Sequence, residues 1–159
     1  MLNKVSVIIP VYNVESYVDD CLNSLINQSF KCFEVIAIND GSTDNSLKCL
    51  EYYRKNSDLN IKIINQKNSG LSASRNRGIK ESNGEYILFL DSDDMLDKYA
   101  IEKLYGEAKK NNSDLVIFDP LRFNDDTKIF EEGEAERKNI YTNKYMDINE
   151  YLRKTKEKC

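Results

Sequence analysis

Residues 86–94 read YILFLDSDD, a short apolar run that passes directly into a cluster of acidic residues. A run of this length and composition predicts a buried strand that ends at the acids. Similar runs occupy residues 5–10, 33–38 and 61–64, and a fifth follows at residues 115–118. Because these runs are mostly apolar on both faces, they indicate a parallel sheet that is covered on both sides.

Helical patterns separate the predicted strands. Residues 14–27 place their apolar side chains at helical spacing, which predicts an amphipathic helix with one buried face. Three more helices are predicted, over residues 45–54, 71–81 and 101–110. The alternation of strand and helix predicts an α/β fold with helices on both faces of a mostly parallel sheet.

The bulk composition restricts the class of protein. The chain has 159 residues, enough for one domain with a hydrophobic core, and its net charge is −4. An acidic surface argues against non-specific binding of nucleic acid, which requires a basic one. The first residues lack the apolar segment of a signal peptide, and no apolar run approaches the roughly 20 residues that span a bilayer. We therefore expect a cytoplasmic protein that does not bind nucleic acid.

The chain contains four cysteines and no histidine, and no two cysteines have the CxxC spacing. These features argue against a zinc site and do not suggest a disulfide framework. Without histidine, acid–base chemistry must come from carboxylates, a bound metal, or lysine, tyrosine and cysteine side chains.

Polar clusters directly follow the first four predicted strands. They are Tyr12-Asn13, Asp40-Gly41-Ser42, residues 67–70 and residues 91–94. Ligands of open α/β sheets bind at the carboxyl ends of the strands, so these clusters are expected to meet at one crevice. The alternative for any one cluster is an ordinary turn, because turns favour Asn, Asp, Gly and Ser.

The most informative cluster is Asp91-Ser92-Asp93. Along an extended chain the two carboxylates point to the same side, where they can share one hard cation. Without that cation a diphosphate would be repelled, by about 4 kcal/mol for each like-charge contact at about 4 Å and an effective dielectric of about 20. Oxygen ligands predict Mg²⁺ or Mn²⁺ rather than zinc. The alternative is an acidic helix N-terminus, to which Asp94 also belongs.

Three further side chains are candidates for contacts with an anionic ligand. Asp40 precedes Gly41, so its carboxylate lies where a ligand can approach and could accept the ring N–H of a pyrimidine base. Arg75 is expected at the same edge of the sheet, where it could bind a base or a phosphate. Lys67 is a weaker candidate, because lysines are common in polar loops. The alternatives are a turn aspartate for Asp40 and an arginine paired with a carboxylate for Arg75.

Four blocks of the sequence, in order, resemble family 2 glycosyltransferases. They are VIIPVYN at residues 7–13 with Glu15, DGSTD at 40–44, NSGLSASRNRG at 68–78 and YILFLDSDD at 86–94. The resemblance implies a Rossmann-like GT-A fold and an inverting transfer of sugar from a nucleotide-sugar donor. UDP is the nucleotide that the family suggests, and the acceptor would be a glycan or a lipid-linked molecule in cell-surface polysaccharide synthesis. The full-length protein would then work in the cytoplasm, with peripheral association at the inner face of the membrane left open.

The resemblance also implies a set of residues that bind the nucleotide sugar. They are Pro10, Val11, Tyr12, Glu15, Asp40, Lys67, Gly70, Arg75, Asp91, Ser92 and Asp93. In this scheme the first four line the nucleoside pocket and Asp40 reads the base. Asp91 holds the ribose or a metal-bound water. Asp93 binds the metal that stabilises charge on the leaving diphosphate, with Asp91 as the second candidate ligand.

The family's catalytic base lies well downstream of the acidic cluster, and its motif is not recognisable here. The acidic residues in that part of the chain are Asp125, Asp126, Glu131 and Glu132. We therefore leave the base unassigned and expect it to be missing from this chain, which resembles a donor-binding fragment. Residues 1–120 are predicted to be the nucleotide-sugar-binding core, and residues 121–159 the start of an acceptor-side region. Within the latter we expect a short strand near Ile129 and Phe130 and a helix over residues 148–156.

Other classes of protein fit the sequence less well. Haloacid-dehalogenase-like phosphatases also place two aspartates after a strand, but that pair opens their domain and is followed by Thr or Val where this chain has Met95. Sugar nucleotidyltransferases require a glycine-rich loop after the first strand, which Tyr12-Asn13-Val14 does not provide. A module that binds a nucleotide sugar without catalysis remains the main alternative.

Overall fold

The computed structural model describes residues 3–118 and the backbone of two short strands beyond them. Contacts divide the chain into two units, Met1–Tyr105 and Gly106–Cys159. The first unit carries every residue that the sequence singles out as a nucleotide-binding candidate. The predicted boundary at residue 120 between a core and an acceptor-side region stays a prediction.

A parallel four-stranded sheet forms the centre of the first unit. Its strands are β1 (Val5–Val11), β2 (Phe33–Asn39), β3 (Ile61–Asn65) and β4 (Tyr86–Phe89). They are arranged in the order β3-β2-β1-β4, and every pair of neighbours is parallel. All seven residues of β1 and of β2 are buried, as the apolar runs require. The predicted α/β class is therefore confirmed.

Helices cover both faces of this sheet. They are α1 (Val18–Ile26), α2 (Ser46–Asn56) and α3 (Leu71–Glu81), followed by α4 (Ala100–Lys110). Leu22 of α1 and Leu50 of α2 share one hydrophobic core with Val7 of β1. Helix α3 packs on the opposite face, where a side chain at Gly78 would collide with Ile8. Only glycine permits this close approach, because it has no Cβ.

Helix α1 begins later than the sequence predicts. The predicted helix starts at Val14, but residues 14–17 form a turn, in which Tyr17 and Val18 both donate their N–H to the carbonyl of Val14. Val14 and Glu15 donate their own N–H groups to Ser46 Oγ and an Asp44 carboxylate oxygen across the neighbouring loop. These tertiary hydrogen bonds hold the turn that precedes the helix, which the apolar spacing of the sequence does not reveal. No helix in the described part of the chain is long and apolar enough to span a membrane.

The prediction of a fifth strand at residues 115–118 is wrong. These residues form no strand, and Leu115 and Phe118 are about half exposed. A strand requires partners for its backbone N–H and C=O groups, and an apolar run does not reveal whether such partners exist. The strand predicted near Ile129 is confirmed as β6 (Ile129–Glu132), which pairs antiparallel with an unpredicted strand β5 (Leu121–Asn124). The helix predicted over residues 148–156 lies outside the described residues.

Candidate functional site

The strand order predicts a crevice at one end of the sheet. β1 lies between β2 and β4, so the chain moves outward from β1 to β3 and then returns to the other side of β1 at β4. Open α/β sheets bind ligands at the carboxyl ends of the strands where the strand order reverses in this way, so a crevice is expected at the carboxyl end of β1. Tyr12 follows β1 at this place and is 48% exposed, while Asp91 follows β4 closely.

Hydrogen bonds join the loop after β1 to the loop after β2. Asn13 adopts a left-handed backbone conformation, with φ of 53°, and its side-chain oxygen accepts the backbone N–H of Thr43 at 2.8 Å. Asn tolerates this conformation better than most residues do. Ser46 Oγ, at the start of α2, accepts the N–H of Val14 at 2.9 Å. The residues that flank Tyr12 are therefore fixed in position.

Glu15 reinforces the same pair of loops. One of its carboxylate oxygens accepts two hydrogen bonds from Asn45, from the backbone N–H at 2.8 Å and from the side-chain amide at 2.9 Å. This N–H lies at the beginning of α2, where the helix leaves its first donors without partners. The structure thus gives the Glu15 carboxylate a structural task at the rim of the crevice.

Asp40 is buried, with 3% of its surface exposed, and its carboxylate holds the loop after β3. Oδ1 accepts the amide of Gln66 at 2.7 Å and the backbone N–H of Ser69 at 2.8 Å, and Oδ2 accepts the N–H of Gly70 at 2.8 Å. Burial by itself would raise the pKa of Asp40, but the hydrogen bonds that the carboxylate accepts outweigh it and lower that pKa below its ordinary value. Asp40 therefore stays ionised at neutral pH.

Glycines allow the two loops to approach each other. Gly41 has φ of 74°, and a side chain there would lie 2.9 Å from the backbone nitrogen of Asn68. Gly70, with φ of 87°, directly precedes α3. Lys67 lies on the same loop with its side chain exposed. The loop after β3 is thus held against Asp40 and passes directly into α3.

Arg75 connects α3 to the acidic cluster. Its Nη2 donates to Asp91 Oδ1 at 2.6 Å, and its guanidinium carbon lies 5.9 Å from the centre of the Phe89 ring. Its Nε is buried and has no hydrogen-bond partner among the described residues. The structure therefore shows the predicted alternative for Arg75, a pair with a carboxylate, and leaves one buried donor unused.

The acidic cluster forms a tight turn with an inert thiol behind it. Asp94 donates its N–H to the carbonyl of Asp91 at 3.0 Å, so the backbone turns sharply within the cluster. Burial raises the pKa of Asp94, and the charges of Asp93 and Asp91 raise it further. The buried Cys21 directs its Sγ to the carbonyl of Asp91 at 3.8 Å. Burial and these aspartates raise the pKa of Cys21 to about 12, so it is not a nucleophile at neutral pH.

Helix α1 and Gln28, which follows it, also anchor the chain after the acidic cluster. The buried side chain of Gln28 donates to the carbonyl of Asp97 at 2.7 Å and accepts the N–H of Ile101 at 3.2 Å. Ser24 Oγ accepts the N–H of Leu96 at 3.1 Å. These bonds fix the path of the segment between the cluster and α4.

The acidic cluster suits a cation that takes part of its coordination from a ligand. Among the residues described, no group of three or more Asp, Glu, Cys or His side chains is placed to hold a metal. Mg²⁺ is commonly bound by one or two carboxylates together with substrate phosphates and water. Asp91 and Asp93 supply that donor chemistry, and their charges add to the effect of burial on the pKa of Asp94. The pair therefore fits a divalent cation that arrives with a diphosphate.

The predicted site residues fall into two groups. Gly70 and Arg75, at the start of α3, contact Asp40 and Asp91 directly, so α3 joins the two acids. The carbonyl of Val11 also reaches this centre, because it accepts the backbone N–H of Asp40 at 2.9 Å. The second group comprises the other candidates: Pro10, Val11, Tyr12, Glu15, Lys67, Ser92 and Asp93. Within that group the side chain of Val11 is 1% exposed and packs in the core, and Ser92 is 5% exposed.

Several residues of this centre were not predicted. Gln66 and Ser74 belong to the Asp40 network, and Phe89 and Cys21 flank Asp91. Gln66 directly follows β3, so its position at a strand end was a usable signal. The other three lie in helices or strands, where polarity and periodicity give no sign of contact with a site.

Comparison with known proteins yields a family match over most of the chain. The model for "Glycosyl transferase family 2" matches residues 6–157. Glycosyltransferase GlyA of Streptococcus pneumoniae is 38% identical over 159 residues, which cover 98% of this chain and 22% of that protein. Cholesterol galactosyltransferase of Borreliella burgdorferi is 45% identical over 113 residues, which cover 71% of this chain and 31% of that protein. The chain therefore spans less than a third of the length of these relatives.

Solved structures give the same picture. S. aureus TarS, crystallised with UDP and with UDP-GlcNAc, is 41% and 40% identical, with a TM-score of 0.66 in both cases. The matches cover 70% of this chain and 33% and 32% of the TarS chains. Mannosyltransferase PcManGT from Pyrobaculum calidifontis, solved with GDP-Man and Mn²⁺, is 20% identical with a TM-score of 0.64, over 79% of this chain and 37% of that one. The last likeness supports the fold alone.

Proposed function

The chain belongs to glycosyl transferase family 2, and from this premise we propose that it binds a UDP-sugar donor together with a divalent cation. In the full-length protein this donor would supply a sugar to a glycan or lipid-linked acceptor, with inversion at the sugar carbon. The observation that carries the proposal is the Arg75–Asp91 pair at the crevice beside β1. A cation-binding acid and an anion-binding base lie side by side there, as a metal-bound diphosphate requires.

The base end of the donor is assigned to the loops after β1 and β2. Tyr12 offers an exposed aromatic ring at the rim, and Asp40 offers a carboxylate that is ionised at neutral pH. Gln66, Ser69 and Gly70 donate hydrogen bonds to this carboxylate, and the Ser74 hydroxyl also interacts with it. We assign to Asp40 the contact with the ring N–H of a uracil, since an ionised carboxylate only accepts hydrogen bonds. UDP is also supported by TarS, which is 41% identical and was crystallised with UDP.

The diphosphate end is assigned to the Asp91-Ser92-Asp93 motif. Asp93 and Asp91 would hold Mg²⁺ or Mn²⁺, and the bound ion would neutralise the charge that develops on the departing diphosphate. Ser92, which is 5% exposed, lies between the two acids. Lys67 extends from the neighbouring loop and is assigned to long-range attraction of the diphosphate.

The wider role that we propose is synthesis of cell-surface polysaccharide on the cytoplasmic side of the membrane, with the full-length protein at its inner face. The three cysteines of the described part are unpaired, which suits a reducing compartment. No catalytic base is assigned among the described side chains. Transfer to an acceptor is therefore proposed for a protein of the length of the relatives.

Calorimetric titration with UDP, GDP and dTDP, each with Mn²⁺ and each with a chelator, tests the donor proposal. We expect UDP to bind most tightly, and only with the metal present. Asp93→Asn should weaken UDP binding in Mn²⁺ by about tenfold or more, since it removes an anionic ligand. Asp58→Asn is the matched control, because Asp58 is exposed and precedes β3 at the opposite end of the sheet.

The outcomes separate the two functions that the sequence left open. If metal strengthens the binding of none of the three nucleotides, the donor proposal is wrong. If UDP binds but a protein extended to the length of the relatives releases no UDP from UDP-sugars in the presence of acceptor extracts, the non-catalytic module is the better description.

A further inference from the structure

We propose that Arg75 is a transferable counter-ion, which holds Asp91 in the nucleotide-free protein and passes to the diphosphate when metal takes over Asp91. The proposal rests on the proposed function and adds a property to it, namely that metal and nucleotide bind cooperatively through Arg75. Arg75 is then a positioning residue for Asp91 in the nucleotide-free protein and a ligand of the diphosphate in the nucleotide-bound protein.

The geometry of the pair carries the first step. Arg75 and Asp91 meet through one contact, Nη2 to Oδ1 at 2.6 Å, although a guanidinium and a carboxylate can pair through two parallel bonds. Arg75 Nε is buried and has no partner among the described residues. A buried donor without a partner costs free energy, which an incoming anion can recover. The guanidinium is thus only partly satisfied by Asp91.

The surroundings of Arg75 favour a short movement over a large one. The guanidinium lies 5.9 Å from the centre of the Phe89 ring, within the range of a cation–π contact. Phe89 ends β4, and Asp91 follows it by two residues. An aromatic surface holds a cation without fixing its hydrogen-bond direction. The guanidinium can therefore stay on the Phe89 ring both while it donates to Asp91 and while it donates to a phosphate.

The charges around Arg75 predict that metal and nucleotide strengthen each other's binding. Asp91, Asp93 and Asp94 place three carboxylates in four residues, and Arg75 is the basic side chain that the described ion pairs connect to them. A metal ion alone must compete with Arg75 for Asp91. When a diphosphate is present, Arg75 has another anion to bind, so this competition is relieved. Because linkage is reciprocal, metal must strengthen nucleotide binding by the same factor.

The test measures Mn²⁺ binding, by the electron paramagnetic resonance of the free ion, with and without saturating UDP. It compares the wild-type chain with Arg75→Gln, Arg75→Lys and Arg77→Gln. Arg77 is a matched control on the same helix, because its Nε lies 3.0 Å from a carboxylate oxygen of Glu81. It therefore pairs with an acid outside the acidic cluster. Thermal unfolding of each variant shows that it is folded, and Arg75→Lys keeps the charge if the glutamine variant unfolds.

We expect Arg75→Gln to bind Mn²⁺ alone about tenfold more tightly, because a positive charge has left the neighbourhood of the metal ligand. It should also bind UDP more weakly, and the factor by which UDP strengthens Mn²⁺ binding should fall by about tenfold. Arg75→Lys should lie between Arg75→Gln and the wild type, and Arg77→Gln should match the wild type. A purely structural role for Arg75 would not raise metal affinity.

Unchanged Mn²⁺ affinity in Arg75→Gln, with UDP still bound cooperatively, would overturn the role of Arg75 and leave the donor proposal standing. A wild-type chain that binds UDP equally with and without Mn²⁺ would overturn both. The two failures are therefore distinguishable in the same set of titrations.

Discussion

A buried carboxylate lies at each end of β2, and the two have different surroundings. Glu34, near the start of the strand, is 7% exposed, and Asp40, just after its end, is 3% exposed. Glu34 Oε1 accepts the hydroxyl of Ser6 at 2.7 Å and the N–H of Asn83 at 2.8 Å. Both acids are satisfied by hydrogen bonds, yet only Asp40 is connected through Gly70 and α3 to Arg75, which has an unused donor and pairs with Asp91.

The two acids differ in what their hydrogen-bond partners are connected to. At the Glu34 end, Ser6 Oγ also accepts the N–H of Gly84, and a side chain at Gly84 would meet the backbone of Ser6 at 2.5 Å. That network is closed and joins parts of the sheet. At the Asp40 end, the partners belong to a loop that leads into α3 and so to Arg75. Burial of an acid therefore does not indicate function, whereas its connection to unsatisfied groups does.

The largest effect on stability should come from Glu34→Ala. The change leaves the Ser6 hydroxyl and the Asn83 N–H without their buried acceptor, which should lower the free energy of unfolding by about 3 kcal/mol. Chemical denaturation measures this loss. Nucleotide affinity of the folded fraction should stay unchanged, and a weaker affinity would show that the two ends of the sheet are not independent.

Asp40→Asn should have a smaller effect on stability and a larger one on binding. An amide NH₂ in place of one carboxylate oxygen faces an N–H donor of the loop, which should cost about 2 kcal/mol of unfolding free energy. UDP should bind at least about tenfold more weakly because the loop and the base contact are both disturbed. The same denaturation and calorimetric measurements apply. Normal UDP binding in this variant would remove Asp40 from the donor site.

The wild-type chain and Asp40→Asn should also differ in how their stability depends on pH, because the pKa of Asp40 is lowered in the folded wild-type protein. Such a group stabilises the fold above its unfolded pKa of about 3.9, and this stabilisation is lost as the pH falls through the folded pKa. Acid unfolding of Asp40→Asn should therefore be less steep below about pH 4 than that of the wild-type chain.

The smallest change adds one methyl group at the loop contact. Gly41→Ala forces a side chain into a positive φ and against Asn68, which should lower the free energy of unfolding by about 1–2 kcal/mol. Gly106→Ala is the matched control, because a side chain there meets nothing within 4 Å and alanine favours the helix. It should raise stability by about 0.5–1 kcal/mol. Equal effects of the two changes would mean that the close loop contact is not needed.

The sequence predicted β1 and β2 well because both strands are buried throughout. The prediction of a buried strand over residues 86–90 is wrong in part, because Ile87 and Phe89 of β4 are 39% and 44% exposed. Runs such as residues 5–10 and 33–38 have no second interpretation once helices separate them. The same signal failed at residues 115–118, since an apolar run says nothing about hydrogen-bond partners. For the site, spacing predicted that Asp91 and Arg75 share one edge, but not that they pair. Pairing depends on side-chain geometry, which no local pattern encodes.

Helix α3 also fixes the distance between the residue that binds Asp40 and the residue that binds Asp91. Gly70, at its start, binds Asp40, and Arg75, five residues later, binds Asp91. At about 1.5 Å of rise per residue, these two points are separated by about 7.5 Å along the helix axis. Gly78 lets the same helix pack closely on Ile8, which holds both points against the sheet. A nucleotide whose base contacts Asp40 and whose phosphate contacts Arg75 must span this separation, so the helix fixes the distance between the two ends of the proposed donor site.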